Sequence, residues 1–175
     1  MPIRDVIAVM NQMHADGVID GYAIGGAVAA TFYLEPVATV DVDIFVMFRG
    51  ARSSTLINPQ PVFDHLKAQG FRMEGEYVMI AGWPVQLLAP AGPLGDEALA
   101  QAFTREVAGV PARVLTAEHL AAIALQTGRG KDKARLLQFI EAGALDPTVF
   151  EGIVERHGLD SQWQLFRRNF LPESP

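Results

Sequence analysis

The 175-residue chain has no cysteine. That excludes a disulfide scaffold, thiolate metal sites and cysteine nucleophiles. It is compatible with a cytoplasmic location, which is the expectation here. Long apolar runs are also missing. No uninterrupted stretch approaches the ~20 residues of a membrane helix, so no membrane association is expected. The N-terminus has no basic patch followed by an apolar run, so no secretory leader is expected. Several motifs are absent too. There is no Gly-X-Ser-X-Gly elbow, no Gly-X-Gly-X-X-Gly fingerprint and no Gly-Lys-Ser/Thr phosphate loop. The four histidines, at 14, 65, 119 and 157, form no His-Glu-X-X-His pattern. His119 is expected on a helix face and His157 near a helix end.

Half of the residues are hydrophobic and 19% are charged. A chain of this size buries roughly two-thirds of its unfolded surface, which makes a true core and argues against disorder. The net charge of −6 is uneven. Residues 1–104 hold five basic and eleven acidic groups, whereas 105–175 hold nine of each. An acidic N-terminal part disfavours a broad nucleic-acid footprint and suits a centre that collects divalent cations.

Hydrophobic spacing predicts a helix over 3–15, ended by Asp16-Gly17. A short strand is predicted at Tyr22–Ile24, then a Gly25-Gly26 turn and a helix from Ala27 to Leu34. Glu35-Pro36 stops that helix. Thr39 to Met47 reads as the clearest strand, with Val40, Val42, Ile44 and Val46 on one face. A polar loop is expected over 49–61 and a helix over 62–69. Three short strands follow, at 71–74, 77–81 and 85–89, with glycine turns at Gly75 and Gly82. Ala91-Gly92-Pro93 breaks the pattern. A helix is predicted from Glu97 to Thr104, and a hairpin from Val107 to Leu115 around Gly109. Thr116 is a predicted N-cap for a helix over 117–127. Three more helices are expected, over 131–142, over 147–156, and from Asp160 or Ser161 to Asn169, the last docking through Trp163 and Phe166. The expected organisation is an α+β body over 1–115 and a C-terminal helical segment over 116–175 packed on it.

The informative stretch runs from Tyr22 to Val46. Residues two apart on a strand share a face, so Asp41 and Asp43 project together with α-carbons about 6.5–7 Å apart. Adjacent carboxylates raise each other's cost of ionising, and a hard cation removes that cost. Mg²⁺ takes oxygen ligands and keeps positions for water or phosphate. The Gly25-Gly26 turn lies between a strand and a helix, where backbone N–H groups can meet an anion. A phosphate there and a cation on the two aspartates would serve phosphoryl or nucleotidyl transfer. The competing reading of Asp-X-Asp is a solvated strand face with no ligand. Phe45, Phe48 and Trp83 are candidate base-stacking side chains, Phe45 more plainly a core residue.

This arrangement resembles the nucleotidyltransferase superfamily of the DNA polymerase beta type. The shared pattern is a Gly-Gly turn, a short helix and Asp-X-Asp on the next strand. It is most similar to the bacterial abortive-infection and toxin-type nucleotidyltransferases, on Thr39 two places before Asp41 and on Arg129-Gly-Lys131-Asp132-Lys133-Ala-Arg135. The resemblance implies a mixed sheet flanked by helices. It implies Asp41 and Asp43 as catalytic metal ligands for Mg²⁺ or Mn²⁺. It implies Gly25, Gly26, Thr39, Arg129 and Lys131 as nucleotide or phosphate contacts. The implied activity moves a nucleotide from an NTP to a hydroxyl of RNA or protein. Three positions depart from the pattern. Gln86 stands where a third carboxylate is expected, with Glu74 and Glu76 on the preceding hairpin as candidate substitutes. Val37 and Ala124 stand where Arg and Lys are usual. These departures imply an alternative, a catalytically degenerate member that binds a nucleotide or a protein, for example as one partner of a toxin–antitoxin pair.

Overall fold

The computed structural model describes residues 3–36, 38–50 and 57–171. Among the described residues, seven strands form one mixed sheet and eight helices lie around it. In chain order they are α1 (Ile3–Ala15), β1 (Ile19–Ile24), α2 (Gly26–Ala30), β2 (Val42–Phe48), α3 (Gln60–Ala68), β3 (Arg72–Glu74), β4 (Tyr77–Ile80) and β5 (Trp83–Leu88). Then come α4 (Gly92–Ala100), β6 (Phe103–Val107), β7 (Val110–Val114), α5 (Ala117–Thr127), α6 (Gly130–Glu141), α7 (Pro147–Arg156) and α8 (Asp160–Phe170). The strand order is β3-β4-β5-β2-β1-β7-β6. β2 runs parallel to β5 and β1 parallel to β7, while the other neighbours are antiparallel. The expected α+β class, with a mixed sheet flanked by helices, is what the chain adopts.

Strand β2 is central, and its alternation is clean. Val42, Ile44, Val46 and Phe48 are buried, while Asp43, Phe45 and Met47 are partly exposed on the other face. The expected start at Thr39 is wrong. Val40 is 82% exposed, and residues 39–41 pair with no strand. The Thr39 hydroxyl reaches the Asp41 backbone oxygen at 3.1 Å and its carboxylate at 3.2 Å. Such local side-chain bonds compete with the ladder and hold the chain outside it.

Two further boundaries move. Gly92-Pro93 opens α4 rather than interrupting the chain, because proline in a first turn lacks only an N–H that has no partner there. The helix expected over 97–104 therefore ends at Ala100, and Phe103 already belongs to β6. The β6–β7 hairpin turns at Ala108-Gly109, both at positive φ (50° and 80°), which matches the right-handed strand twist. Helix α2 has five residues, and non-helical turns follow from Thr31 to Tyr33. Of the loop expected over 49–61, residues 51–56 lie outside the described residues, as does Val37.

Helix α5 organises the C-terminal helices. The Thr116 hydroxyl accepts from the His119 N–H, and Gly128 closes the helix at φ 67°. Ala117, Leu120, Ala121, Ala122, Ala124 and Leu125 are all buried, so the helix is covered almost all round. It packs on α2, α4, α6, α7 and α8. Tyr33 fastens the end of the α2 region to this layer. Its hydroxyl donates to the Leu115 carbonyl at 2.8 Å, and its ring tilts onto Phe139 of α6. Burial pushes that phenol up to about 12. Trp163 and Phe166 of α8 dock as expected, with Trp163 meeting Phe150 of α7 edge-on.

Glu97 of α4 joins three side chains from two helices. It accepts from Arg156 Nη2 at 2.7 Å, lies 2.8 Å from His157 Nε2, and lies 3.3 Å from the Nε2 of buried His119. The Arg156 hydrogen bond chiefly, with His157 and His119 adding to it against desolvation, pulls its pKa down from 4.5 to about 2. Burial above all pulls His119 down from 6.5. Both shifts have one sign. The unfolded chain binds more protons, so acidification removes stability: first below pH 6.5 through His119, then between 4.5 and about 2 through Glu97. Replacing Glu97 with Gln will lower Tm at pH 7 by about 2–6 °C. The same variant will flatten the loss of stability between pH 4.5 and 3, as read by thermal melts across pH.

Candidate active site

The site forms where β1 ends and β2 begins. Antiparallel pairing sets Ile24 opposite Ile44, and the Gly25 N–H donates to the Asp43 carbonyl at 2.9 Å. The turn is thereby hung on the aspartate strand. Gly26 has φ 57°, a region costly for residues with a side chain. A Cβ on Gly26 would collide with the Asp43 carboxylate, with Cγ only 2.8 Å away. A Cβ on Gly25 would enter the Phe45 ring, whose Cδ2 is 2.7 Å away. The two glycines thus have different reasons. Gly25 makes room for Phe45 beneath the turn. Gly26 lets the Asp43 carboxylate lie against the turn.

A cavity of about 640 Å³ opens in front of this turn. Its wall includes Gly26, Asp41, Asp43, Glu76, Tyr77 and Gln86, together with Arg129, Lys131 and Arg135. Asp41 and Asp43 are near enough that the charge of Asp41 raises the Asp43 pKa. Desolvation of partly buried Asp43 is the larger cause, and Lys131, Arg135 and Arg129 pull the other way. The balance is upward, so the nearby cations do not fully offset burial and the second carboxylate.

Each residue expected at the site has a definite place. Asp41, Asp43, Gly26, Arg129 and Lys131 share the cavity wall. The Gly25 N–H is spent on Asp43. The Thr39 hydroxyl reaches Asp41, so it orients a carboxylate. Arg129 already has an anionic partner, since its Nε donates to Asp132 at 2.6 Å and its Nη2 at 3.3 Å. Asp132 is buried, so this pair anchors the start of α6. Lys131 and Arg135, four apart on α6, stand on one face of the helix. Arg135 joins the expected set through this i, i+4 spacing, which is legible in the sequence.

Gln86 stands next to Asp43 as its register partner on β5, and Tyr77 on β4 is the partner of Gln86. An amide therefore occupies the position beside the aspartate. Tyr77 and Glu76 were not singled out as a pair by spacing, because only the β3–β4–β5 meander brings them to the cavity. Phe45 lines the cavity as well as packing under the turn, and Ala124 lines it without a charge. Among the described residues, no group of three histidine, aspartate or glutamate side chains gathers closely enough to hold one metal ion.

No family model and no curated protein matches the sequence. Solved structures do match by shape. One is an antigenic nucleotidyltransferase-like protein from Paracoccidioides brasiliensis, 15% identical, with TM-score 0.52, over 91% of this chain and 90% of that one. Another is the antibiotic-resistance factor ANT(2'')-Ia, 16% identical, with TM-score 0.54, over 93% of this chain and 94% of that one. The chain has the nucleotidyltransferase-like fold. Within that fold, Gly26, Asp41 and Asp43 line one cavity, to which α6 contributes Lys131 and Arg135. No helix among the described residues is long and apolar enough to cross a membrane.

The contact between Gly26 and Asp43 yields a paired test. Gly75 has a similar φ of 64° but open space where a Cβ would go. Gly75→Ala will cost about 1–2 kcal/mol, the left-handed backbone cost alone. Gly26→Ala will cost more than Gly75→Ala, because Asp43 must also move. Urea unfolding of the two variants measures the difference.

Proposed function

We propose that this chain is a Mg²⁺-dependent nucleotidyltransferase that moves a nucleotide from an NTP to an acceptor hydroxyl. The single observation that carries the reading is the cavity that Asp41 and Asp43 share with Gly26, Lys131 and Arg135, whose positive charges act on Asp43. Two carboxylates give a hard but incomplete donor set. That set fits a divalent ion, Mg²⁺ or Mn²⁺, whose remaining positions go to water and phosphate oxygens. The ion would lower the charge repulsion between the triphosphate and the aspartates.

The chain's own groups do the rest. The Thr39 hydroxyl and the start of β2 hold Asp41 and Asp43 on one side of the cavity. Lys131 and Arg135 neutralise the polyphosphate from α6, with Arg129 more weakly because Asp132 competes for it. The backbone at Gly26 lines the cavity and leaves room for phosphate without a side chain in between, whereas the Gly25 expected beside it as a phosphate contact is not part of the cavity wall. Catalysis of this kind is mostly positioning and charge neutralisation, which such a frame supplies. RNA and protein hydroxyls are the acceptors that the sequence resemblance implies. Thr39 and the Arg129–Arg135 stretch support a likeness to the toxin-type group.

Gln86 favours one alternative. The amide beside Asp43 suits a member that binds nucleotide, or a partner protein of a toxin–antitoxin pair, without chemistry. The two readings separate in one assay. With each of the four NTPs supplied α-labelled in Mg²⁺, the transfer reading predicts that at least one labels RNA or protein. Asp43→Asn will reduce that labelling by at least ~100-fold. Thermal stabilisation by NTP will require the metal and will vanish in the same variant. Metal-dependent stabilisation without any labelled product overturns transfer in favour of binding.

A further inference from the structure

Resting on the transfer reading, the next question is which group takes the acceptor's proton. Asp41 and Asp43 are assigned to the cation. Their strand neighbour Gln86 carries an amide, which does not act as a base at neutral pH. The cavity wall supplies one further carboxylate outside α6, Glu76. It lies in the Gly75-Glu76 turn between β3 and β4. Its neighbour Tyr77 is the register partner of Gln86, and Gln86 is the partner of Asp43. Three strands thus carry one row, Asp43–Gln86–Tyr77, whose ends are about 10 Å apart at the backbone. The Tyr77 phenol is pushed up by desolvation and by the charges of Glu76, Asp41 and Asp43, so these carboxylates share one neighbourhood. They do not converge into a three-ligand cluster. Glu76 is therefore in the site but outside a metal shell. Glu74 lies 3.8 Å from Arg72 and is not part of the cavity wall.

We propose that Glu76 is the general base of the transfer reaction. The acceptor oxygen attacks the α-phosphorus of the NTP, and a new O–P bond forms. The bond from that phosphorus to the oxygen bridging to the β-phosphate breaks, and its electron pair leaves with pyrophosphate. The acceptor's proton goes to the Glu76 carboxylate. Glu76 is exposed at the cavity mouth, so water then removes that proton. A carboxylate on an adjacent hairpin thus does what the amide at Gln86 does not.

The test compares Glu76→Gln, Glu76→Asp and Glu74→Gln in the labelled-NTP assay, alongside NTP-dependent thermal shifts in Mg²⁺. Glu76→Gln will lower kcat by ~100-fold or more and leave the NTP-dependent shift unchanged. Glu76→Asp will retain part of the rate, and Glu74→Gln will stay within about twofold of wild type. An active wild type with Glu76→Gln at full rate overturns the base assignment alone. Loss of the NTP-dependent shift in Glu76→Gln also overturns it, because the residue would then bind nucleotide. A wild type that transfers no label to any acceptor overturns the transfer reading and the Glu76 role with it.

Discussion

The bare α-carbon of Gly26 pressed against the carboxylate of Asp43 is the constraint on which the site depends. The contact is made possible by three local facts. The Gly25 N–H is bonded to the Asp43 carbonyl, Gly26 takes a positive φ, and Phe45 fills the space under Gly25. Together they fix the turn and the acidic strand as one unit. A side chain at either glycine would separate them. The result is a backbone bend and two carboxylates in the wall of one cavity.

The C-terminal helices complete that unit by bringing positive charge to it. Helix α5 is the buried axle, and its alanines let neighbouring helices approach closely. Glu97 ties α4 to α5 and α7, while Tyr33 ties the segment after α2 to Leu115 and Phe139. The buried Asp132 turns the start of α6 inward and holds Arg129. Lys131 and Arg135 line the same cavity as Asp43, and their charges act on it. Cations in the first turns of a helix oppose its dipole, so their placement costs helix stability and is offset by the acidic strand opposite. Stability and function are linked here through the helix layer.

Much of this was legible in the sequence, for identifiable reasons. Gly-Gly before a helix and Asp-X-Asp fifteen residues later are short-range patterns, and the pairing of β1 with β2 brings them together. The Thr116 cap and the Pro147 helix start were legible for the same reason. Thr39–Asp41 reads as strand in the sequence because Val40 continues the alternation of Val42, Ile44 and Val46. Strand formation needs a partner, and that stretch has none. Gly92-Pro93 was misread because proline signals both a break and a helix start. Gln86 was correctly placed beside Asp43, since β5 follows its hairpin by tight glycine turns. Glu76 was named with Glu74 but not distinguished from it. Only the twist of the β3–β4 turn sends one to the cavity and leaves the other with Arg72.

The central claim is that a cation held by Asp41 and Asp43 and a polyphosphate held at the Gly26 turn occupy one cavity within bonding distance of each other. Substoichiometric Mn²⁺ tests it directly through the ³¹P resonances of bound ATP. The account predicts strong paramagnetic broadening of the phosphate signals in the wild-type protein and its loss in an Asp41→Asn/Asp43→Asn double variant that still melts cooperatively. Broadening of equal strength in that variant, or bound ATP whose phosphates are untouched by Mn²⁺ in the wild type, would contradict it.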